Sequence, residues 1–284
     1  MTTIAITGAT GHLGRLAIAA LKTRAPDAHL VALARNPAAA ADLGTEVRAA
    51  DYAQPATLAT ALTGIDVLVL ISSSDFNDRA GQHRAVIDAA RRAGVGRIVY
   101  TSILGADTSA MGLAADHVTT EAGLRASGIP HTILRNGWYT ENYTGALGGA
   151  LAAGAMIGSA GEGRISSAAR ADYAEAIAVV APDAGQAGKV HELAGDTAYT
   201  MAEMAAEVSR LTGKTIPYNS LPEVAYAGIL ASFGLPAGFA ALIADADAQA
   251  AKGALFNDSH TLSRLIGRPT TPMATTVAAA LAAL

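Results

Sequence analysis

Residues 7–14 read TGATGHLG, directly after the apolar run Ile4-Ala5-Ile6 and directly before the helix-forming stretch Arg15 to Thr23. Glycines at every third position of a strand-to-helix turn leave few folds open. Gly8 permits a tight turn, Gly11 lets backbone approach a ligand, and Gly14 lets the helix lie close on the sheet. The first amides of such a helix lack intrahelical acceptors, so the turn reads as a seat for the pyrophosphate of a dinucleotide. On this reading Gly8, Ala9, Thr10, Gly11, His12, Leu13 and Gly14 contact the cofactor.

The next apolar run decides which dinucleotide. An acidic residue about 20 positions on would hold the ribose 2′-hydroxyl of NAD, whereas an arginine accommodates the 2′-phosphate of NADP. Here His29 to Ala34 ends in Arg35-Asn36-Pro37, with no carboxylate at the tip. Arg35 therefore points to NADP(H).

Up to about residue 135, short apolar runs alternate with helix-length segments: Ile4 to Thr7, Leu30 to Ala34, Val47 to Ala49, Val67 to Ile71, Ile98 to Thr101 and Thr132 to Leu134. Six strands with helical crossovers predict the α/β class with a doubly wound parallel sheet, order 3-2-1-4-5-6, and ligand across the carboxyl ends of the strands. Gly94-Val95-Gly96 and Ser127-Gly128-Ile129-Pro130 read as helix stops. Beyond Asn136 the alternation weakens and glycine-rich connections take over. The expected division is a dinucleotide domain over 1–136 and, over 137–284, mainly a smaller C-terminal substrate lobe. Lys189 to Leu193 is a candidate strand returning to the main sheet. Helices are expected from near Thr200, Pro222, Pro236, Ser259 and Pro272, the first with the Thr-x-x-Glu spacing of a capping box.

Candidate site residues sit where these strands end. Ile71, Ser72 and Ser73 would offer small hydroxyl side chains and backbone amides beside the nicotinamide and its ribose. Asp51 and Tyr52 are placed to border the adenine, and Ser102 either to bond a substrate oxygen or to cap a turn. The richest cluster is Arg135 to Tyr143, RNGWYTENY, with the only tryptophan and two of the eight tyrosines. Flat rings with polar tips suit a planar substrate stacked over nicotinamide, although the same rings would also serve to pack a joint between lobes. Asn136, Gly137, Trp138 and Tyr139 are assigned to the cofactor, Trp138, Tyr139 and Asn142 to the substrate, and Tyr139 with Asn136 to catalysis.

Other chemistries fall away. A net charge of −4 argues against nucleic acid or an anionic membrane surface as partner. There is no cysteine, so no disulfide, thiolate nucleophile or iron–sulfur ligand exists, and redox chemistry must come from a bound cofactor. The longest aliphatic run, Val67 to Ile71, is far short of a membrane span, and the amino-terminal stretch lacks the pattern of a secretory signal, so a cytoplasmic location is expected. The seven histidines show no zinc spacing, and neither GxSxG nor GxxxxGK[ST] occurs. None of the eight tyrosines has a lysine four positions on, which argues against ketone reduction through an activated phenol. An electron-poor acceptor such as a quinone relaxes that requirement. His83 and His117 are kept as candidate proton donors.

These motifs, together with ARNPA, ADY, LISSS, QHRAVIDAA, YTSILGADTS, RADYAEA, HELAGD and KGALFNDSHTLSRLIGRPTT, resemble the NmrA-like atypical short-chain dehydrogenases, and among them the bacterial NADPH-dependent quinone oxidoreductase branch. The likeness runs over essentially the full length. It implies an NADPH-binding Rossmann domain with a small C-terminal lobe and a quinone bound in the cleft. It also implies that Gly8 to Gly14 form the pyrophosphate loop, that Arg35 meets the 2′-phosphate, that Ser72 and Ser73 flank the nicotinamide, and that Asn136 to Asn142 lie near nicotinamide and substrate. The family also lacks the tyrosine–lysine pair. Two alternatives remain at this level: a dinucleotide-sensing regulator without turnover, and a reductase of dyes or other xenobiotics. The sequence leaves the oligomeric state open, a homodimer included.

Overall fold

A computed structural model describes residues 1–76 and 78–284. Its main sheet is built from β1 (Thr3–Ile6), β2 (His29–Ala34), β3 (Glu46–Ala49), β4 (Val67–Leu70), β5 (Arg97–Ile103), β6 (His131–Asn136) and β8 (Val190–Leu193), in the order β3-β2-β1-β4-β5-β6-β8. The helices between the first six strands are α1 (His12–Arg24), α2 (Pro55–Ala61), α3 (Arg79–Ala93) and α4 (Ala114–Ser127). Strands β1 to β6 pair in parallel, as the apolar alternation requires. The candidate strand near 189–193 does return. Ile133 donates to the Lys189 carbonyl at 2.9 Å and Gly137 to that of Leu193 at 2.7 Å, a spacing that advances equally along both chains and is therefore parallel.

A parallel sheet is covered on both faces, so its strands read as continuous apolar runs. One core joins Val31, Leu33, Leu68, Leu70, Ile98, Tyr100 and Ile133 of the sheet to Leu58, Leu62, Val86 and Leu124 from the helices and their ends. Gly94 and Gly128 terminate α3 and α4 with φ of +72° and +74°, the left-handed conformation that glycine adopts without strain.

Strands β5 and β6 run longer than their apolar residues predict, so Ser102 and Asn136 lie within strands rather than after them. Polar side chains satisfied inside the fold extend them. Arg97 opens β5 buried, its guanidinium donating to the carbonyls of Val180 at 3.0 Å and Ala181 at 2.5 Å.

The residues group into two compact units, one of 1–106, 116–136 and 170–191, the other of 107–115, 137–169 and 192–284. The chain thus re-enters the first unit beyond residue 136 rather than leaving it once. The reason is packing: α7 (Arg170–Val180) lies along α1, and the segment after it runs beside β6.

The second unit carries α5 (Thr140–Thr144), α6 (Leu147–Ala153), a two-stranded parallel sheet of β7 (Met156–Gly158) and β9 (Tyr218–Ser220), and α8 (Met201–Thr212) to α12 (Met273–Ala282). Between these last two run α9 (Glu223–Ser232), α10 (Ala237–Ala250) and α11 (Thr261–Ile266). The capping box at α8 is complete: Thr200 N–H reaches the Glu203 carboxylate at 2.7 Å and Glu203 N–H the Thr200 hydroxyl at 3.1 Å. No helix among the described residues is long and apolar enough to cross a membrane.

Asp247 of α10 is buried beside Tyr143, Tyr218 and Tyr226 and accepts the Ser159 amide at 3.1 Å. Burial pushes its carboxyl up to about 6, against the smaller opposing effects of the Ser159 amide and the Tyr143 hydroxyl. A carboxyl whose folded pKa lies above its unfolded value of 3.8 stabilises the fold fully below pH 4, and that contribution is lost as pH rises through about 6. Two pKa units correspond to about 3 kcal/mol. Asp247→Asn, which keeps an acceptor for Ser159, is expected to remove this loss. Melting curves of the two proteins should diverge between pH 4 and 6.5 in favour of the variant, and parallel curves would contradict the assignment.

Candidate functional site

In the glycine turn, Gly8 takes φ of +59° and its carbonyl accepts the Gly11 amide at 2.9 Å. Helix α1 then starts at His12 with Gly11 as its N-cap, no capping side chain and no acid in its first turn. Its leading amides are therefore left for an outside anion. A Cβ at Gly14 would run into the Gly8 carbonyl oxygen and stand 2.9 Å from Ala9 Cα, and one at Gly11 would stand 3.2 Å from the same oxygen. Gly14 is thus demanded by the turn's own backbone rather than by the sheet. The turn is a cradle that side chains would fill, which fits a pyrophosphate. Ala9 and Leu13 are buried in the core, which leaves only their backbones for a ligand, while Gly8, Thr10, Gly11 and His12 are exposed.

Arg35 follows the last residue of β2, exposed, with no hydrogen bond or ion pair to any described residue. The nearby Arg15 differs. It is tied to Asp42 at 2.7 Å, to the Ala39 carbonyl at 2.8 Å and to the Thr10 carbonyl at 3.3 Å. Asp51 closes its own turn, accepting the Ala53 amide at 3.0 Å and the Gln54 amide group at 2.9 Å. Tyr52 packs against the core and donates to the Ile71 carbonyl at 3.1 Å, and burial raises its phenol above the ordinary range.

Against the expectation from the sequence, the backbone amides of Ile71, Ser72 and Ser73 are already engaged, each held by a side chain of the fold. Ile71 donates to Thr7 Oγ1 at 2.9 Å, Ser72 to Thr101 Oγ1 at 2.9 Å and Ser73 to His83 Nε2 at 3.0 Å. The Ser73 hydroxyl donates to Gln82 at 2.8 Å, and its carbonyl accepts Arg79 Nε at 2.8 Å. What the segment offers a ligand is a rigid, half-buried wall.

Beneath this wall lie His83 and His117, both buried. His83 Nε2 accepts from Ser73, so the ring proton sits on Nδ1 and is donated to Thr120 Oγ1 at 2.9 Å, which donates to the Asp116 carbonyl at 2.8 Å. His117 Nδ1 meets the Tyr100 hydroxyl at 2.7 Å. Burial first, and the Arg79 charge second, push both imidazoles down to about 3. Neither carries an extra proton near neutrality, which removes them as proton donors.

Ser102 neither caps a turn nor faces outward. Its hydroxyl donates to Glu121 Oε1 at 2.7 Å, beside Arg135, whose Nε and Nη2 reach the same carboxylate at 2.9 and 2.8 Å. Burial alone would raise the Glu121 carboxyl, but the bonds from Arg135 and Ser102 overcome it and hold it below the usual range. Asn136, buried, ends β6 next to Arg135.

Residues Gly137 to Asn142 belong to the second unit. Trp138 and Tyr139 are half-buried and Asn142 is exposed. Their backbone runs parallel to Ala168, which donates to the Trp138 carbonyl at 3.1 Å and accepts from Thr140 at 3.0 Å. Buried hydroxyls of Thr140, Ser167 and Tyr199 form a chain behind them, with contacts of 2.7 and 2.5 Å. Sequence reasoning missed Thr7, Thr101, Thr120, Glu121 and the anchoring role of His83. The signal that was present is His83 itself, in the first helix after the LISSS segment.

An uncapped, acid-free helix start opening from a doubly wound parallel sheet defines a dinucleotide-binding Rossmann protein. Comparisons with known proteins narrow the class. The pattern of the NAD(P)H-binding family matches residues 8–183. The chain is 53% identical over 277 residues to quinone oxidoreductase 2 of Escherichia coli strain K12, covering 96% of this chain and 97% of that one. Its structure is similar to that of the NADPH-dependent quinone oxidoreductase of E. coli complexed with NADPH, with a TM-score of 0.94, 52% identity and coverage of 98% and 99%. It is also similar to the triphenylmethane reductase of Citrobacter sp. complexed with NADP(H), with a TM-score of 0.91, 35% identity and coverage of 98% and 99%. The chain belongs to the NAD(P)H-binding, NmrA-like family.

Proposed function

We propose that this protein reduces quinones with NADPH by direct hydride transfer and without flavin. The observation that carries the reading is the 53% identity with E. coli quinone oxidoreductase 2 across nearly the whole of both chains. The uncapped glycine turn and the unengaged Arg35 support it. In this reading the amides of His12, Leu13 and Gly14 hold the pyrophosphate, Arg35 holds the 2′-phosphate, and Tyr52 and Asp51 border the adenine. Bound there, the dinucleotide supplies a hydride, and the protein supplies orientation and electrostatics. The wall at Ile71, Ser72 and Ser73 fixes the nicotinamide side, and Asn136 and Gly137 are assigned to the cofactor as well. Trp138, Tyr139 and Asn142 receive the planar acceptor, and the Tyr139 hydroxyl delivers the remaining proton. Ser102, bonded to Glu121, takes no part. A protein without cysteine suits a cytoplasmic site of action.

The test is loss of the reduced nicotinamide's near-ultraviolet absorbance on mixing NADPH and a small benzoquinone with the protein. A protein that binds NADPH but leaves that absorbance unchanged would be a sensor instead. Trp138→Ala and Tyr139→Phe are expected to lower kcat by about ten-fold while leaving the Kd for NADPH nearly unchanged. Unaltered turnover in both would move the acceptor elsewhere.

A further inference from the structure

We infer that His83 is a positioning residue for hydride transfer: by accepting the Ser73 amide it fixes the wall against which the nicotinamide end of bound NADP(H) rests. The inference builds on the proposed placement of that wall and extends it to a residue without any direct part in the chemistry.

Three consecutive amides of the wall are captured from three different elements. Thr7 follows β1, Thr101 lies in β5 and His83 in α3. Two of the acceptors are hydroxyls carried by the sheet strands or their ends. His83 is the one that ties the far end of the segment, at Ser73, and it does so with a nitrogen whose lone pair is assured. Its Nδ1 proton is directed to Thr120, and Thr120 in turn is directed to the Asp116 carbonyl. The tautomer that leaves Nε2 free to accept is therefore set by a chain of bonds running back into α4. A second layer holds the same residue, since Gln82 accepts the Ser73 hydroxyl and Arg79 donates to its carbonyl. Edge contacts with Tyr52 and Tyr100, at centroid distances of 6.3 and 5.5 Å, keep the ring from rotating. These bonds and ring contacts converge on the three residues that stand after β4. Displacing a reacting group by about an ångström costs on the order of a hundred-fold in rate, so a wall held this firmly has a kinetic use.

Two substitutions separate this role from general stability. In His83→Asn the side-chain amide stands where Nδ1 was, keeping the link to Thr120 and losing the one to Ser73. In His83→Gln the side-chain carbonyl reaches the Nε2 position and again accepts from Ser73. H83N is expected to lower kcat with NADPH and a benzoquinone by roughly ten- to a hundred-fold. Its Kd for 2′,5′-ADP, which lacks the nicotinamide, should stay within about two-fold of the parent, because that ligand depends on contacts remote from Ser73. H83Q should recover most of the lost turnover. Two further readouts do not depend on turnover: the Ser73 amide should exchange with deuterium faster in H83N and be protected again in H83Q, and the fluorescence of bound NADPH should change in the same order. Thr101→Val, which releases the Ser72 amide from the other side, should give the same pattern as H83N.

Wild-type kcat and wild-type Ser73 protection in H83N would overturn the inference. So would an H83Q protein as impaired as H83N, or an H83N protein that loses 2′,5′-ADP binding in step with kcat. A parent protein that binds NADPH but reduces no quinone would instead bring down the proposed activity, and the fluorescence and exchange series would still decide the role of His83.

Discussion

Gly14→Ala is expected to weaken NADPH binding by about a hundred-fold or more, a change of roughly 3 kcal/mol. The added methyl would occupy the place of the Gly8 carbonyl oxygen and crowd Ala9 Cα, both of them backbone atoms that no rotamer change can clear. Helix α1 must then move away from the turn, or the turn must open. Either motion shifts the amides of His12, Leu13 and Gly14 off a pyrophosphate seated there, and hydrogen bonds to a charged group decay steeply with misalignment. Gly11→Ala is the internal comparison. Its methyl would stand 3.2 Å from the Gly8 oxygen, which a shift of a few tenths of an ångström relieves, so a smaller loss is expected there. Calorimetric titration of both variants with NADPH checks the order. Undiminished affinity in Gly14→Ala would mean that the pyrophosphate docks elsewhere.

Arg35→Ala should divide the two cofactors. The guanidinium is exposed and bonds to no described residue, so its removal costs the fold little and the melting temperature should hardly move. A charge-assisted bond to a 2′-phosphate is worth about 1.5 to 3 kcal/mol, which makes the expected loss in kcat/KM with NADPH about ten- to a hundred-fold. With NADH, which carries no phosphate there, kcat/KM should stay nearly constant. Equal losses with both cofactors would take Arg35 out of its assigned place.

What could be read from the sequence was what a few neighbouring residues decide among themselves. The glycine turn, the strand alternation, the helix stops at Gly94 and Gly128 and the Thr200–Glu203 capping box all depend on spacings of a few positions. The candidate site was less legible wherever a side chain's partner lies far along the chain. Ser102 looks like a surface hydroxyl until Glu121 is placed beside it, 19 residues away in sequence. Ile71, Ser72 and Ser73 look like amide donors until Thr7, Thr101 and His83 take those donors, and only the register of β1, β5 and α3 brings the three acceptors there. Arg97 at the start of a strand reads as an edge residue, yet it is satisfied by carbonyls at the end of α7, 83 and 84 residues on. Composition and periodicity carry no information about such pairings.

The place of β8 beside β6 bears on how the polypeptide emerges from a ribosome. One flank of the sixth strand is shielded by the segment 188–193, so roughly two thirds of the chain must be made before that row of open peptide groups is closed. Until then a nascent chain displays a hydrogen-bonding edge to every neighbour, the circumstance in which strands are prone to pair with the wrong molecule. Slower synthesis or a protective chaperone is therefore expected to raise the yield of folded protein.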